Sequence, residues 1–433
     1  MSNIKKNLDL FLIPTAIACQ FFACSGLYFM KYYATNLWPF SITLATLVNT
    51  FLFGWCGFSF IGRVCGAYSI GKYANKVNFF NLIRQVTIGH ILVALLVATV
   101  CITGEDFYHA YQSFYLARFL YSALMPITIV LPAIYLFSRY PESQHIQISA
   151  YIAFATFFGK FLAHVFVSYI PASHKQIWYW LSVLTCFVSL GLYTYLQKHT
   201  PRFMKKTETI IKYPPTLIYK KALAFVIGAA CNAGLTYYYF FLTPYLANIV
   251  IVKNYGLIKE HPPFYIALGL FLLPATKVCQ KFGVFKTMSI SLACIFTLGI
   301  SIPYMNISDS VYIVLQIVFA FFLAGLVTPS LAVVYQLLKD ANNIFDSIFW
   351  VSFGSSLSML FLAIGSRIGF ILHYPLAGMW IFAANILMCL LGILAYVRFE
   401  KNIHEFLKGT HSSKTESDTS VMHSIKPNLK NSA

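Results

Sequence analysis

Twelve long apolar stretches, separated by polar gaps, constrain this chain before any motif is read. A helix needs roughly 20 apolar residues to cross the hydrocarbon core of a bilayer. The stretches fall at residues 8–32, 40–70, 83–103, 112–137, 147–170, 176–196, 219–246, 262–280, 286–305, 310–336, 347–369 and 376–398. Only 10% of the residues are charged and 59% are hydrophobic, whereas a soluble domain carries about 25% charged residues. A water-facing globule could not hide so much apolar surface. The expected fold class is an all-α membrane protein of twelve transmembrane helices in two six-helix halves.

The seam between the halves is marked by HTPRFMKKTETIIKYPPTLIYKK, the longest polar and most basic gap, where Tyr213-Pro214-Pro215 blocks a continuous helix. The expected organisation is residues 1–197 as the first half, 198–218 as a cytoplasmic linker and 219–399 as the second half. Residues 400–433 are polar and Ser/Thr-rich and read as a disordered cytoplasmic tail. The opening KKNLDLFLIPTAIAC faintly resembles a secretory or lipoprotein signal. Its apolar run continues past Cys19, so a first spanning helix is the better reading.

The net charge of +18 is placed as a membrane protein places it, not as a nucleic-acid binder does. Cytoplasmic loops collect Lys and Arg. With the N-terminus inside, Lys5, Lys6, Lys72, Lys76, Arg139, the Lys198–Lys221 cluster, Lys281, Lys286, Lys339 and the tail all fall on one side. The other side keeps Lys175, Lys253 and Lys259. The expectation is an integral, multi-pass protein of a bacterial inner membrane with both termini cytoplasmic, acting as a monomer.

The ten cysteines form no CxxC pair and read as small apolar packing residues. No metal-ligand cluster, phosphate-binding GxxxxGK[ST] loop or nucleophile–base set is present. The expectation is no enzyme, no cofactor and no ATP-driven pump.

Polar groups near a bilayer centre are costly and so mark function. None of the 13 acidic residues falls in the middle of an expected span. Basic residues do intrude. Lys160 lies midway along the fifth span in ATFFGKFLAHVF, with His164 four residues on and so on the same helix face. Together they could hold an anion or pass a proton, although Lys160 could also simply snorkel. Arg118 opens the fourth span. His90 reads as a packing histidine and Lys31 as a snorkelling one. Tyr237, Tyr238 and Tyr239 in the seventh span offer hydroxyls and ring faces. Ser352, Ser355, Ser356 and Ser358 cluster around Gly354 in the eleventh, and Gln316 is a weaker candidate in the tenth.

The stretch GRVCGAYSIGKYANKV at 62–77 ends the second span on small residues and two lysines. A related stretch, with Gln280, Lys281 and Gly283, follows the eighth span about 205 residues later, as parallel repeats require. Gly66 and Gly71 leave room for close helix approach. The stretch reads either as a releasable gate between halves or as a tight joint between helices.

These features together resemble the major facilitator superfamily, and within it the metabolite:proton symporter branch. That branch reads R-P-x-G-A-x-x-x-G-x-x-x-D-R-x-G-R-K after its second helix. Here Arg63, Gly66, Ala67 and Gly71 match, Asn75 stands for Asp and Lys76 for Arg, while Val64 replaces Pro and Asn78, Phe79 and Phe80 replace G-R-K. Arg118, Tyr140-Pro141-Glu142-Ser143, HTPRF at 199–203 and TYYYFFLTPYL at 236–246 extend the likeness. The resemblance implies secondary transport by alternating access, with a small-molecule substrate and a proton as coupling ion. It implies that Arg118 acts in coupling or binding and that the seventh span lines the cavity. The branch's E-W-[FY]-D-F becomes Gln20-Phe21-Phe22-Ala23, so both carboxylates are gone. The expected substrate is therefore an anionic or zwitterionic carboxylate, amino-acid-like or betaine-like solute. A facilitator or exchanger without proton coupling, and a non-transporting sensor, are the alternatives.

Overall fold

The computed structural model describes residues 8–25, 57–69, 79–103, 107–169, 175–199, 216–237, 262–305, 309–338, 346–371 and 379–398, with Glu400. These residues form twelve α-helices. They are α1 (Asp9–Ser25), α2 (57–69), α3 (Phe79–Thr103), α4 (Phe107–Arg139), α5 (His145–Tyr169) and α6 (Lys175–His199). Then come α7 (Thr216–Tyr237), α8 (Pro262–Phe282), α9 (Val284–Ser301), α10 (Asp309–Leu338), α11 (Asp346–Ile371) and α12 (Met379–Arg398). Each expected span overlaps one of them. Eight described stretches are long and apolar enough to cross a membrane. In hydrocarbon, helices satisfy their own backbone polar groups. The chain is a multi-pass integral membrane protein. Its exposed large side chains, such as Leu92, Leu184, Leu270 and Met388, suit contact with lipid tails; in water such a surface would aggregate.

Some boundaries differ from expectation. α4 starts at Phe107, not 112, and its 33 residues measure about 50 Å at 1.5 Å per residue. That exceeds a hydrocarbon core of about 30 Å, so the helix either tilts or extends past the core. The gap expected between the eighth and ninth spans shrinks to the single residue Gly283. Its φ of 87° lets the chain change direction there. Gly283 still donates its N–H to the Cys279 carbonyl at 3.0 Å and accepts from Thr287 at 3.1 Å, so the bend costs little hydrogen bonding. The ninth span ends early because Ile302–Tyr304 tightens into a 3₁₀ turn with Pro303 near its start.

The packing repeats. α1 lies along α5 as α7 lies along α11, and α8 along α10. In the first half, Gly62 and Gly66 of α2 press on Phe119 and Ala123 of α4. Glycines set the closest crossings, as small residues do between membrane helices. Gly159 of α5 meets the Ala18 carbonyl of α1. Gly228 of α7 meets Val351 of α11, and Gly354 of α11 meets Phe225 of α7. In the α7–α11 pair each helix thus supplies one glycine to the other's backbone.

Between the halves, α5 packs on both α8 and α10. Ala153 and Phe157 of α5 belong to the apolar cluster of the second half. At the end of the bundle where α1 begins, Phe137 and His145 stack against Tyr335 of α10 at 5.1 and 5.4 Å. The same end is tied within the first half. Arg139 pairs with Asp9 at 3.1 Å, and Tyr140 donates to Asp9 at 2.6 Å. Burial, and then this bond to the carboxylate, push the Tyr140 phenol above its ordinary range.

Because both glycines of the α7–α11 crossing face backbone, a side chain there must push the helices apart. Gly354→Val should cost about 1–3 kcal/mol, the usual cost of overpacking. Gly191→Ala, which meets nothing within 4 Å, should leave stability unchanged. Thermal unfolding in detergent, followed by tryptophan fluorescence, checks both.

Candidate functional site

The functional candidates of the first half converge on the middle of the bundle. Gly159 sits against Ala18, so α5 and α1 come together just where α5 carries Lys160. The Lys160 ammonium stands over two rings, Phe21 of α1 at 5.6 Å and Phe157 of α5 at 5.4 Å. Each contact is worth about 0.5–2 kcal/mol, more when desolvated. The charges of Arg63 on α2 and Arg118 on α4 both reach Lys160. Arg118 is buried at 7% exposure. Three cations from three helices therefore share one low-dielectric space. The described carboxylates (Asp9, Glu142, Asp309, Asp346 and Glu400) all lie at helix ends or between helices. Among the described residues none pairs with Lys160.

The second half faces this cluster with neutral groups. Arg63 reaches across the seam and donates to the Ser355 hydroxyl of α11 at 3.0 Å, while its other terminal nitrogen approaches the Met125 sulfur at 3.7 Å. Asn232 of α7 donates to the Ser355 carbonyl at 2.7 Å, which fixes α11 beneath the contact. Phe60 and Phe353 meet alongside at 6.2 Å. The second link across the seam is His164. Its Nε2 lies 3.5 Å from the Tyr265 hydroxyl of α8, and the two rings stack at 5.3 Å.

The remaining candidates are placed differently. Gln20 is fully buried and donates to Thr87 of α3 at 2.8 Å, so it lies in an interface within the first half. His90 is held at both ring nitrogens, by Thr128 at 2.8 Å and by Cys24 at 3.6 Å, and packs as expected. Ser358 accepts from Asn385 of α12 at 2.7 Å, while Ser352, Ser356 and Gln316 are buried. Tyr237 ends α7. Tyr238, Tyr239, Lys31, Gly71, Asn75 and Lys76 lie outside the described residues.

The small face of α2 is not a bare surface between the halves. Gly62 and Gly66 press on α4 of the same half, which is the tight-joint reading, and Arg63 makes the contact that crosses. Gln280, Lys281 and Gly283 are exposed at the end of α8, with Lys281 over the Phe282 ring at 5.4 Å. Sequence reading missed Tyr265, Asn232 and the two phenylalanines beneath Lys160. With 29 tyrosines and 41 phenylalanines in the chain, no local pattern singles these out.

Twelve helices, paired as they are in each half around a central polar space, have counterparts among solved structures. The proton:xylose symporter XylE, bound to 6-bromo-6-deoxy-D-glucose, superposes with a TM-score of 0.66 at 14% identity, over 90% of this chain and 95% of that one. The human organic anion transporter MFSD10 (TETRAN) gives 0.64 at 12% identity, over 90% and 99%. A bacterial homologue of the iron transporter ferroportin, in an outward-facing state, gives 0.62 at 11%, over 89% and 99%. The chain has the major facilitator fold. No family model and no curated protein matches the sequence. Here the α2–α11 and α5–α8 pairs straddle the seam and carry Arg63–Ser355 and His164–Tyr265.

Loss of a hydrogen bond to a charged donor costs about 1.5–3 kcal/mol. Ser355→Ala should therefore raise the population in which α2 and α11 separate by roughly tenfold or more. Hydrogen exchange of peptides from α2 and α11 should accelerate, and that of α3 and α6 should not change.

Proposed function

We propose that this protein is a secondary transporter that carries a small organic anion, or a zwitterion through its carboxylate, by alternating access, with a proton as coupling ion. The observation that carries the reading is Lys160. Its ammonium lies between Phe21 and Phe157, it feels two further cations, and among the described residues no carboxylate pairs with it. A buried charge without a counter-ion is strongly unfavourable, and a transported anion supplies the counter-ion. Arg118 and Lys160 are the proposed anion contacts, with Arg63 and Ser355 closing the seam beside them. The resemblance to proton-symporter sequences and the likeness in fold to a proton symporter and to an organic anion transporter favour the same reading. The distribution of Lys and Arg favours an inner-membrane protein with both termini in the cytoplasm. Lipid covers the outer surface of the bundle, and a monomer suffices because the site lies within one chain.

A second reading, obligatory exchange or facilitated diffusion, is favoured by one observation. The carboxylates that the related symporter sequences carry in the first span are replaced by Gln20 and Ala23.

The test is uptake into proteoliposomes of labelled lactate, succinate, citrate, proline and betaine, each with and without an inward proton gradient. Saturable uptake of a carboxylate-bearing solute is expected. Lys160→Ala should reduce it by about tenfold or more, while Lys160→Arg, which keeps the charge but not the compact ammonium, retains part of it. Wild-type rates in a Lys160→Ala/Arg118→Ala double variant would sink the anion site. Uptake that ignores the gradient would select the second reading.

A further inference from the structure

Three histidines, His90, His145 and His164, are buried within the described spans, and their surroundings differ. Among the described residues the polar contacts of His90 come from the first half: Cys24 on α1 and Thr128 on α4, with Tyr121 of α4 stacked at 5.5 Å. A rigid movement of one half against the other leaves that set intact. His164 on α5 instead meets Tyr265 on α8, across the seam that alternating access must open and close. His145 also meets the other half, through its ring against Tyr335, but its Nε2 is hydrogen-bonded to the Tyr140 carbonyl of its own half at 3.0 Å. Of the three, His164 is the one whose ring nitrogen faces a partner across the seam.

Thermodynamic linkage follows. A group that meets different surroundings in two states binds its proton differently in each, and the proton then biases the two states. With the tautomer that leaves Nε2 bare, the imidazole accepts the Tyr265 hydroxyl; an imidazolium carries N–H at both nitrogens and cannot. Uptake of a proton also adds a second positive charge one helical turn from Lys160. An anion seated on Lys160 offsets that charge, so proton and anion favour one another's binding. The charged or titratable groups that reach Lys160 and His164 are Tyr265 on α8, Cys24 on α1, Arg118 on α4 and Arg63 on α2; α8 also carries Lys277, Cys279 and Lys281 toward its other end. Asp309 opens α10, whose other titratable groups are Tyr312 and Tyr335. Phe157 fills the space between, 6.4 Å from Tyr265.

We infer that His164 is the proton-binding group whose occupancy is linked to parting of α5 from α8, with Tyr265 as its partner across the seam, in place of the missing first-span carboxylates. The inference rests on the alternating-access reading above and assigns the coupling proton to one atom, His164 Nε2.

The experiment separates the two. Reconstituted protein without added solute is compared by hydrogen exchange at about pH 6 and about pH 8, corrected for intrinsic rates, since an imidazole titrates between them. In the wild type, peptides covering 160–169 and 262–268 should exchange about tenfold faster at the lower pH, the size of a one-decade population shift. His164→Gln and Tyr265→Phe should both abolish that dependence, and His90→Gln should keep it. Tyr265→Phe removes a single hydroxyl and remains informative if His164→Gln folds poorly. A wild type without pH dependence, or a His164→Gln protein that retains it, overturns the inference. Succinate uptake under a proton gradient is then measured on the same preparations. If wild-type uptake is gradient-driven and His164→Gln reduces it to passive exchange, both readings stand. If wild-type uptake ignores the gradient while exchange still depends on His164, proton-coupled transport falls and the proton-sensitive seam stands.

Discussion

A lysine ammonium held inside hydrocarbon over ring faces, within reach of two arginines, is the constraint around which this bundle is arranged. Lys160, Arg118 and Arg63 come from α5, α4 and α2, all in the first half, and they share one space. Two unit charges a few ångströms apart repel by several kcal/mol at the effective dielectric of a protein interior. The fold answers with ring faces under Lys160 and with a hydroxyl and a thioether for Arg63. These contacts soften the charge. Asp9, a carboxylate of the first half, is engaged at the end of the bundle by Arg139 and Tyr140.

The contacts inside each half and those between the halves are of different kinds, and the difference is mechanical. Inside a half, glycines bring helix backbones together, as at Gly66 on Ala123 and Gly354 on Phe225. Such joints are close-packed and yield only by wholesale separation. Across the seam, among the described residues, side chains make the polar links Arg63 to Ser355 and His164 to Tyr265, and the rings of His145 and Phe137 meet Tyr335. Each is worth little enough to break and re-form, which suits the two-body movement proposed above.

Much of this was legible in the sequence. Spans of apolar residues gave twelve helices because hydrocarbon admits no other way to satisfy the backbone except a closed barrel. Lys160 and Arg118 stood out because a cation in an apolar run is costly wherever the helix turns. The tertiary pairings were not legible. The glycine face of α2 was open to a gate or a joint, and only the position of α4 shows Gly62 and Gly66 packed within their own half. Gln20 sat beside Phe21 in the sequence, yet Phe21 faces Lys160 while Gln20 turns to Thr87 of α3; which face a membrane helix presents depends on neighbours that local spacing does not encode. Tyr265 and Asn232 acquire meaning only from partners some 100 residues away.

The absence of span carboxylates bears on more than the choice of substrate. In a carrier with a buried acid, the proton can neutralise the empty site, and the empty carrier can then return across the membrane. In the proposed carrier the unloaded site keeps the Lys160 charge, and closing the seam around it would remove that charge from water. A site loaded with an anion between Lys160 and Arg118 would be closer to neutral and easier to enclose. Such a design on its own favours exchange, because the loaded form moves more readily than the empty one. Net accumulation then needs a further group that sheds charge as the seam closes. Lys160 and Arg118 cannot both do so without losing the anion site. An imidazole at the seam can, because its neutral form is the one that accepts the hydroxyl of Tyr265. On the proposed mechanism, accumulation rather than exchange would rest on the His164 imidazole, one turn from the lysine that would bind the anion.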